Sequence, residues 1–316
     1  MPRDVHPQVQ AILDAATGAG LPKLEDLTPE QARKLIERLA SARRNNYQGH
    51  QVASVEDTDT GASYGQVPVR IYRASERANA PVALFYHGGG HVFGSLDTHD
   101  LVARSLSAKC RCTVVSVDYR MGPEHPFPAA VDDAFAAARW VAENAVALEV
   151  DADRIALSGD SAGGNLAAVV ALLAREHSAF SVSAQVLVYP VTDYRCTHPS
   201  YERYAEGYGL LEAGTMRWFQ RHYLGGVEQA HDWRASPLLA EDLSNLPPAL
   251  VLLAECDVLR DEGVAYAERL RDAGVDVEHT EYAGMVHGFF AYLGLVDDTE
   301  RAHQRVAEFL MRCWSR

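Results

Sequence analysis

The stretch Arg154-Ile155-Ala156-Leu157-Ser158-Gly159-Asp160-Ser161-Ala162-Gly163-Gly164-Asn165 reads as a β-strand, a sharp turn and the opening of a helix. Its turn fits Gly-x-Ser-x-Gly over 159–163, the pattern of a serine on a tight strand-to-helix corner. The spacing has a steric cause. Strand and helix press together at such a corner, so only small side chains fit two residues before and after the serine. Ser161 is then placed at the C-terminal edge of a sheet and at a helix N-terminus, where backbone N–H groups face developing negative charge. A phosphate-binding turn is the competing reading. Gly159, Gly163 and Gly164 do not form G-x-G-x-x-G, and no Gly-Lys-Ser/Thr follows, which disfavours it.

Outward from this corner, short β-rich runs alternate with longer helical patterns from about residue 67. Strands are expected at 67–72, 81–86, 113–118, 154–158, 184–189, 249–254 and 276–282. Helices are expected at about 98–109, 129–146, 162–176, 262–273 and 298–313. Runs such as Ala249-Leu250-Val251-Leu252-Leu253-Ala254 are apolar throughout, which suits a sheet covered on both faces. The alternation predicts an α/β fold with a mostly parallel sheet.

Two segments break the alternation. Residues 1–50 look all-helical, and Thr28-Pro29-Glu30-Gln31 supplies an N-cap, a first-turn Pro and a third-position Gln for a helix to about Arg44. Residues 194–225 carry Tyr201, Tyr204, Tyr208, Trp218, Phe219 and Tyr223. Both segments read either as helical decoration or as a lid over a site. The expected organisation is a helical segment at 1–50, a core at 51–193, an insertion at 194–225 and the rest of the core at 226–316.

The 316 residues are 47% hydrophobic and 23% charged, an ordinary globular composition that excludes wholesale disorder. A net charge of −14 disfavours nucleic acid and anionic membrane surfaces as partners. The five cysteines, Cys110, Cys112, Cys196, Cys256 and Cys313, are odd in number and form no CxxC pair. They suggest neither a disulfide framework nor a zinc site, and point to a reducing compartment. The N-terminus has no basic region followed by an apolar run, and no apolar stretch reaches membrane-span length. A cytoplasmic protein is expected.

A second chemical signal is His87-Gly88-Gly89-Gly90, directly after an expected strand. Three consecutive glycines leave backbone N–H groups unshielded, as an oxyanion hole requires. Gly89 and Gly90 are the expected donors, with Ala162, the residue after the serine, as the third. His87 and His91 lie four apart, but the glycines between them argue against a helix and no third ligand has useful spacing. No metal is assigned.

In this combination the chain resembles the hormone-sensitive-lipase-like, or bacterial family IV, carboxylesterases. The resemblance rests on His87-Gly88-Gly89-Gly90, Tyr119-Arg120 with 123–130, Gly159 to Gly164, 257–263 and His287-Gly288-Phe289, and it runs from about residue 50 to 316. It implies an α/β-hydrolase fold: a mostly parallel eight-stranded sheet flanked by helices, capped by the N-terminus and an insertion. It implies hydrolysis of short- to medium-chain acyl esters without a cofactor, and dimers formed through an edge strand near the C-terminus. The chain departs from the family pattern at His91, Met121-Gly122 and Val258. His91 lies nearest the chemistry, so it is expected to shape the substrate pocket, with Tyr208, Leu211, Trp218 and Phe219 as further lining residues.

The implied fold demands the order Ser, acid, His. Among the histidines after Ser161, His279 lies in an expected strand and His303 in the last helix, while His198, His222 and His231 precede the acid candidates. His287 follows a late strand in a loop. For the acid, Asp257 lies just past a strand, with Glu255, Asp261 and Glu262 as competitors. Spacing favours Asp257 modestly; the resemblance implies it strongly. The expectation is therefore a serine esterase. A non-catalytic binding module on the same fold, or an amidase or thioesterase with the same triad, are the alternatives.

Overall fold

The computed structural model describes residues 5–76 and 78–315. Residues 1–4, part of the expected 1–50 segment, lie outside the described residues. Two helices, α1 (Pro7–Gly18) and α2 (Pro29–Asn46), come first. Strands β1 (Ser54–Asp59), β2 (Pro68–Arg73) and β3 (Ala80–Tyr86) follow, then α3 (Asp100–Cys110), β4 (Thr113–Val117) and α4 (Ala129–Glu143). Next are β5 (Val150–Asp160), α5 (Ala162–His177), β6 (Ala184–Val188), α6 (Ser200–Arg203) and α7 (Ala213–Tyr223). The chain continues with β7 (Ala249–Cys256), α8 (Arg260–Asp272), β8 (Val277–Val286) and α9 (Asp297–Trp314).

Among the described residues the strands form one eight-stranded sheet in the order β1-β2-β4-β3-β5-β6-β7-β8. The β1–β2 and β2–β4 pairs are antiparallel, and the remaining pairs are parallel. Parallel strands all end at the same edge of the sheet. The loops after β3, β5, β7 and β8 therefore emerge side by side, which is how residues far apart in sequence reach one site.

The central strands are buried because both faces are covered. Leu84, Leu157, Leu187 and Leu252 have no exposed surface. Helix α5 is rich in Ala and Gly and is buried along most of its length, so its backbone can lie close to the sheet. No helix among the described residues is long and apolar enough to cross a membrane.

Three expectations need correction. Strand β1 was absent from the sequence-derived strands. Its Ser-Val-Glu-Asp-Thr-Asp is exposed along its whole length, as befits a charged edge strand with no apolar face to bury. Strand β8 runs to Val286 rather than to 282, so His287 stands directly at its C-terminal end. Helix α4 ends at Glu143, and residues 144–149 form turns. In α2 the capping box is present: Thr28 Oγ1 accepts from the Gln31 N–H (3.3 Å), and Gln31 Oε1 accepts from the Thr28 N–H (2.9 Å).

The N-terminal segment and the 194–225 insertion pack on each other. Lys23 pairs with Glu212 (2.8 Å), Thr215 Oγ1 donates to Glu25 (2.7 Å) and Trp218 Nε1 donates to the Leu27 carbonyl (3.0 Å). The N-terminal segment also reaches the sheet's C-terminal edge. The His6 N–H donates to Gly284 O (2.8 Å), and Arg33 Nε donates to Val92 O (2.8 Å).

Backbones pack closely between β3 and the first turn of α5. A Cβ on Gly163 would stand 1.8 Å from Tyr86 O. Gly163→Ala should therefore lower the urea-unfolding free energy by about 1–3 kcal/mol through overpacking. Gly226→Ala, whose added methyl would meet nothing within 4 Å, should change it by less than about 0.5 kcal/mol. Equal effects would contradict this account of the corner.

Candidate active site

Ser161 occupies the corner between β5 and α5 with φ 57° and ψ −118°, a backbone conformation costly for any residue with a side chain. Its neighbours hold it there. The Ser161 N–H donates to Val188 O (2.8 Å), and Ser161 O accepts from Val191 N–H (3.2 Å) and Asn165 N–H (3.0 Å). The glycines flanking it are required by space: a Cβ on Gly159 would lie 2.3 Å from the backbone of Gly163. The side chain is thus pushed out over the sheet edge while the residue remains 6% exposed.

His287 Nε2 lies 2.8 Å from Ser161 Oγ, and its Nδ1 lies 2.6 Å from Asp257 Oδ2. Asp257 is buried just past β7, where Oδ1 also accepts the Leu259 N–H (2.9 Å). The imidazole packs beside the ring of Tyr189, with centroids 4.4 Å apart. A carboxylate on Nδ1 fixes the tautomer that turns the Nε2 lone pair toward the hydroxyl. The arrangement can accept a proton from Ser161 and return it elsewhere.

The competing carboxylates are committed to other partners. Glu255 Oε2 accepts the Gly284 N–H (2.7 Å) and so braces the strand end that carries His287. Asp261 pairs with Arg260 (2.6 Å). Glu262 is wholly buried and accepts from Thr192 N–H (2.7 Å), Asp193 N–H (3.1 Å) and Tyr201 OH (3.1 Å). Burial pushes its carboxyl well above the usual range, against those donors.

The glycine loop after β3 faces the serine corner. Gly88 spends its N–H on Asp160 Oδ1 (2.9 Å). Among the described residues the N–H groups of Gly89, Gly90 and Ala162 have no hydrogen-bond partner. Gly90 has φ +61°, and a Cβ there would lie 2.1 Å from the Phe219 ring. Phe219 thus reaches the loop from α7 and packs on Phe93, with centroids 5.5 Å apart.

The other expected pocket residues divide. Tyr208 and Leu211 flank Gly209, which approaches Val286 next to His287. Trp218 is 2% exposed, and its indole N–H is taken by the Leu27 carbonyl of the N-terminal segment. His91 also departs from expectation. It has no exposed surface, stacks on Tyr223 (3.9 Å between centroids) and bonds Tyr194 OH through Nδ1 (2.8 Å). With φ +59° and full burial it sits among these aromatic rings beside the glycine loop. Sequence reasoning missed Asp160, Tyr189 and Tyr194. Asp160 stands inside the serine motif, but nothing in the motif tells that it points at residue 88.

Comparison with known proteins agrees with this geometry. A family profile described as alpha/beta hydrolase fold matches residues 83–291. The chain is 44% identical to an ethyl acetate hydrolase of Pseudomonas putida over 250 residues, 78% of each chain. It is 43% identical to an arylesterase of Saccharolobus solfataricus over 224 residues, 71% of this chain and 73% of that one. An ester hydrolase from the metagenome of Lake Arreo, solved with a bipyridine phosphonate derivative, superposes with a TM-score of 0.93 at 38% identity, covering 99% of this chain and 100% of the other. The chain belongs to the hormone-sensitive-lipase-like, family IV carboxylesterases of the α/β-hydrolase fold. It is a carboxylic ester hydrolase.

Burial holds three histidines neutral, His87 and His91 at the glycine loop and His303 on α9. Burial lowers His87 and His91 to about 3 and His303 to about 4, from an ordinary 6.5. The unfolded chain therefore binds protons below about pH 6.5 that the folded chain refuses, so folding stability falls as pH drops from there toward 4. Urea unfolding between pH 7 and 5 should show this slope, and His303→Gln should make it shallower. An unchanged slope in that variant would contradict the burial argument.

Proposed function

We propose that Ser161 is the nucleophile, His287 the general base and acid, and Asp257 the group that orients His287 and stabilises its imidazolium. The observation that carries this is the unbroken line from Asp257 Oδ2 through His287 to Ser161 Oγ, with distances of 2.6 and 2.8 Å. His287 Nε2 takes the hydroxyl proton as Ser161 Oγ attacks the ester carbonyl carbon. Gly89, Gly90 and Ala162 donate their N–H groups to the oxyanion of the tetrahedral intermediate. His287 then protonates the departing alkoxide, leaving an ester of Ser161. Water, deprotonated by the same nitrogen, attacks that acyl-enzyme, and the acid leaves as the proton returns to Ser161.

The reading of substrate is a short to medium acyl chain. Phe219 and Phe93 close one side of the glycine loop, and the 208–211 segment closes the side near Val286. Aromatic walls against the glycine loop suit a compact acyl group. The relative named ethyl acetate hydrolase supports the short end of this range. The N-terminal helices and the α6–α7 insertion act as a cap, since they meet each other and the sheet edge around Ser161.

Ser161→Ala should abolish turnover of p-nitrophenyl acetate and block labelling by a fluorophosphonate. Asp257→Asn should lower kcat by about 10⁴, through the wrong imidazole tautomer rather than lost geometry. A variant with kcat within about tenfold of wild type would remove Asp257 from this role. Across p-nitrophenyl esters, kcat/KM should be highest from acetate to hexanoate and fall steeply by palmitate. A palmitate optimum would refute the short-chain reading.

A further inference from the structure

Behind the glycine loop lies a buried polar cluster that the mechanism above does not use. Asp160, 6% exposed, is the last residue of β5 and precedes Ser161. Its Oδ1 accepts the Gly88 N–H, and the fit is close: a Cβ on Gly88 would lie 2.5 Å from Asp160 Oδ2. His99 Nε2 stands 3.5 Å from the same Oδ1. The other imidazole nitrogen meets Thr98 Oγ1 at 2.8 Å, and Thr98 Oγ1 accepts from Ser95 N–H at 2.8 Å. His87 is stacked between His99 and Tyr119, with centroids at 5.4 and 4.4 Å, and Tyr119 OH donates to His87 O (2.7 Å).

A carboxylate this buried needs a partner charge. Burial pushes the Asp160 carboxyl up, but the charge and hydrogen bond of His99, with smaller contributions from His287 and His87, outweigh it and hold it below the ordinary range.

We propose that Asp160 is the positioning residue of the oxyanion loop and that the His99 imidazole, 3.5 Å from its Oδ1, steadies that carboxylate. The proposal rests on Gly89 and Gly90 serving as oxyanion donors. Gly89 and Gly90 adopt φ of +121° and +61°, and a run of glycines has many such conformations open to it. The Gly88–Asp160 bond ties the start of that run to the residue beside the nucleophile. The distance between the donor amides and Ser161 Oγ is thereby set before substrate arrives. A bare carboxylate here would oppose the negative charge that grows on the carbonyl oxygen. The His99 imidazole beside Oδ1 offsets part of that opposition while leaving Asp160 free to accept from Gly88.

The test compares wild type with Asp160→Ala, Asp160→Asn and His99→Phe. Steady-state kinetics on p-nitrophenyl acetate are paired with inhibition by an aryl trifluoromethyl ketone, which forms an oxyanion, and by the matching methyl ketone, which binds largely unreacted. Asp160→Ala should lose about 10²-fold in kcat with KM changed less than about threefold, the signature of a misplaced transition-state contact. It should lose a similar factor against the trifluoromethyl ketone and almost none against the methyl ketone. Asp160→Asn keeps an acceptor for Gly88 and should recover to within about tenfold of wild type. Asp160→Ala with wild-type kcat, or equal weakening of both ketones, overturns the proposal. Should that variant not fold, His99→Phe decides: a kcat more than about tenfold down at unchanged KM supports it, and wild-type kcat overturns it. If the oxyanion reading itself is wrong, wild type will bind the two ketones equally. If only this proposal is wrong, wild type and Asp160→Ala will discriminate them alike.

Discussion

The carbonyl oxygen of Tyr86 lies where a side chain on Gly163 would have to begin. That contact between the end of β3 and the first turn of α5 governs the rest of the site. It forces the serine corner to be narrow, and the narrowness forces Ser161 into its strained backbone. Such strain costs on the order of 1–3 kcal/mol and persists only where the surroundings over-determine it. Here they do, through the Val188 and Val191 backbone bonds and the buried length of α5. The same contact has a second effect. His87 to Gly90 follow Tyr86 directly, so whatever presses β3 against the corner also delivers the glycine amides to Ser161.

Topology accounts for the other two members of the line. Strands β5, β7 and β8 are parallel neighbours or near-neighbours in one sheet, so Ser161, Asp257 and His287 leave it at one edge. What remains is the choice among carboxylates on the loop after β7, and hydrogen bonding makes it. Glu255 braces Gly284, Asp261 answers Arg260, and Glu262 anchors the segment that leads into the insertion through Thr192 and Asp193. Asp257 alone among them meets an imidazole. The acid loop, the base loop and the insertion are thus cross-braced by residues that take no part in the chemistry.

Much of this was legible in the chain because the informative constraints are local. Gly159, Gly163 and the triple glycine announce close approach of backbone, and continuous apolar runs announce covered strands. The capping box of α2 is a four-residue pattern, Thr28 to Gln31, and is equally readable. What escaped is what depends on tertiary partners. Strand β1 is polar and exposed, with pairing to β2 as the reason for its extended form. The burial of His91 rests on its stacking on Tyr223, which joins residues distant in the chain. The sequence reading puts Trp218 and Phe219 together in the pocket lining. Adjacent positions on a helix point about 100° apart, so one faces the N-terminal segment and the other the glycine loop. Asp160 belongs to the same class: its identity was in plain view, its partner was not.

The central claim is that a covalent ester of Ser161 lies on the reaction path, and rapid-quench mass spectrometry on p-nitrophenyl acetate tests it most directly. The account predicts an acetylated chain within the first turnover, the acetyl group mapping to the peptide that contains Ser161. It also predicts that His287→Ala gives no such species on the same timescale. Turnover at the wild-type rate with the acetyl group never found on Ser161, or found on another residue that is required for activity, would contradict it.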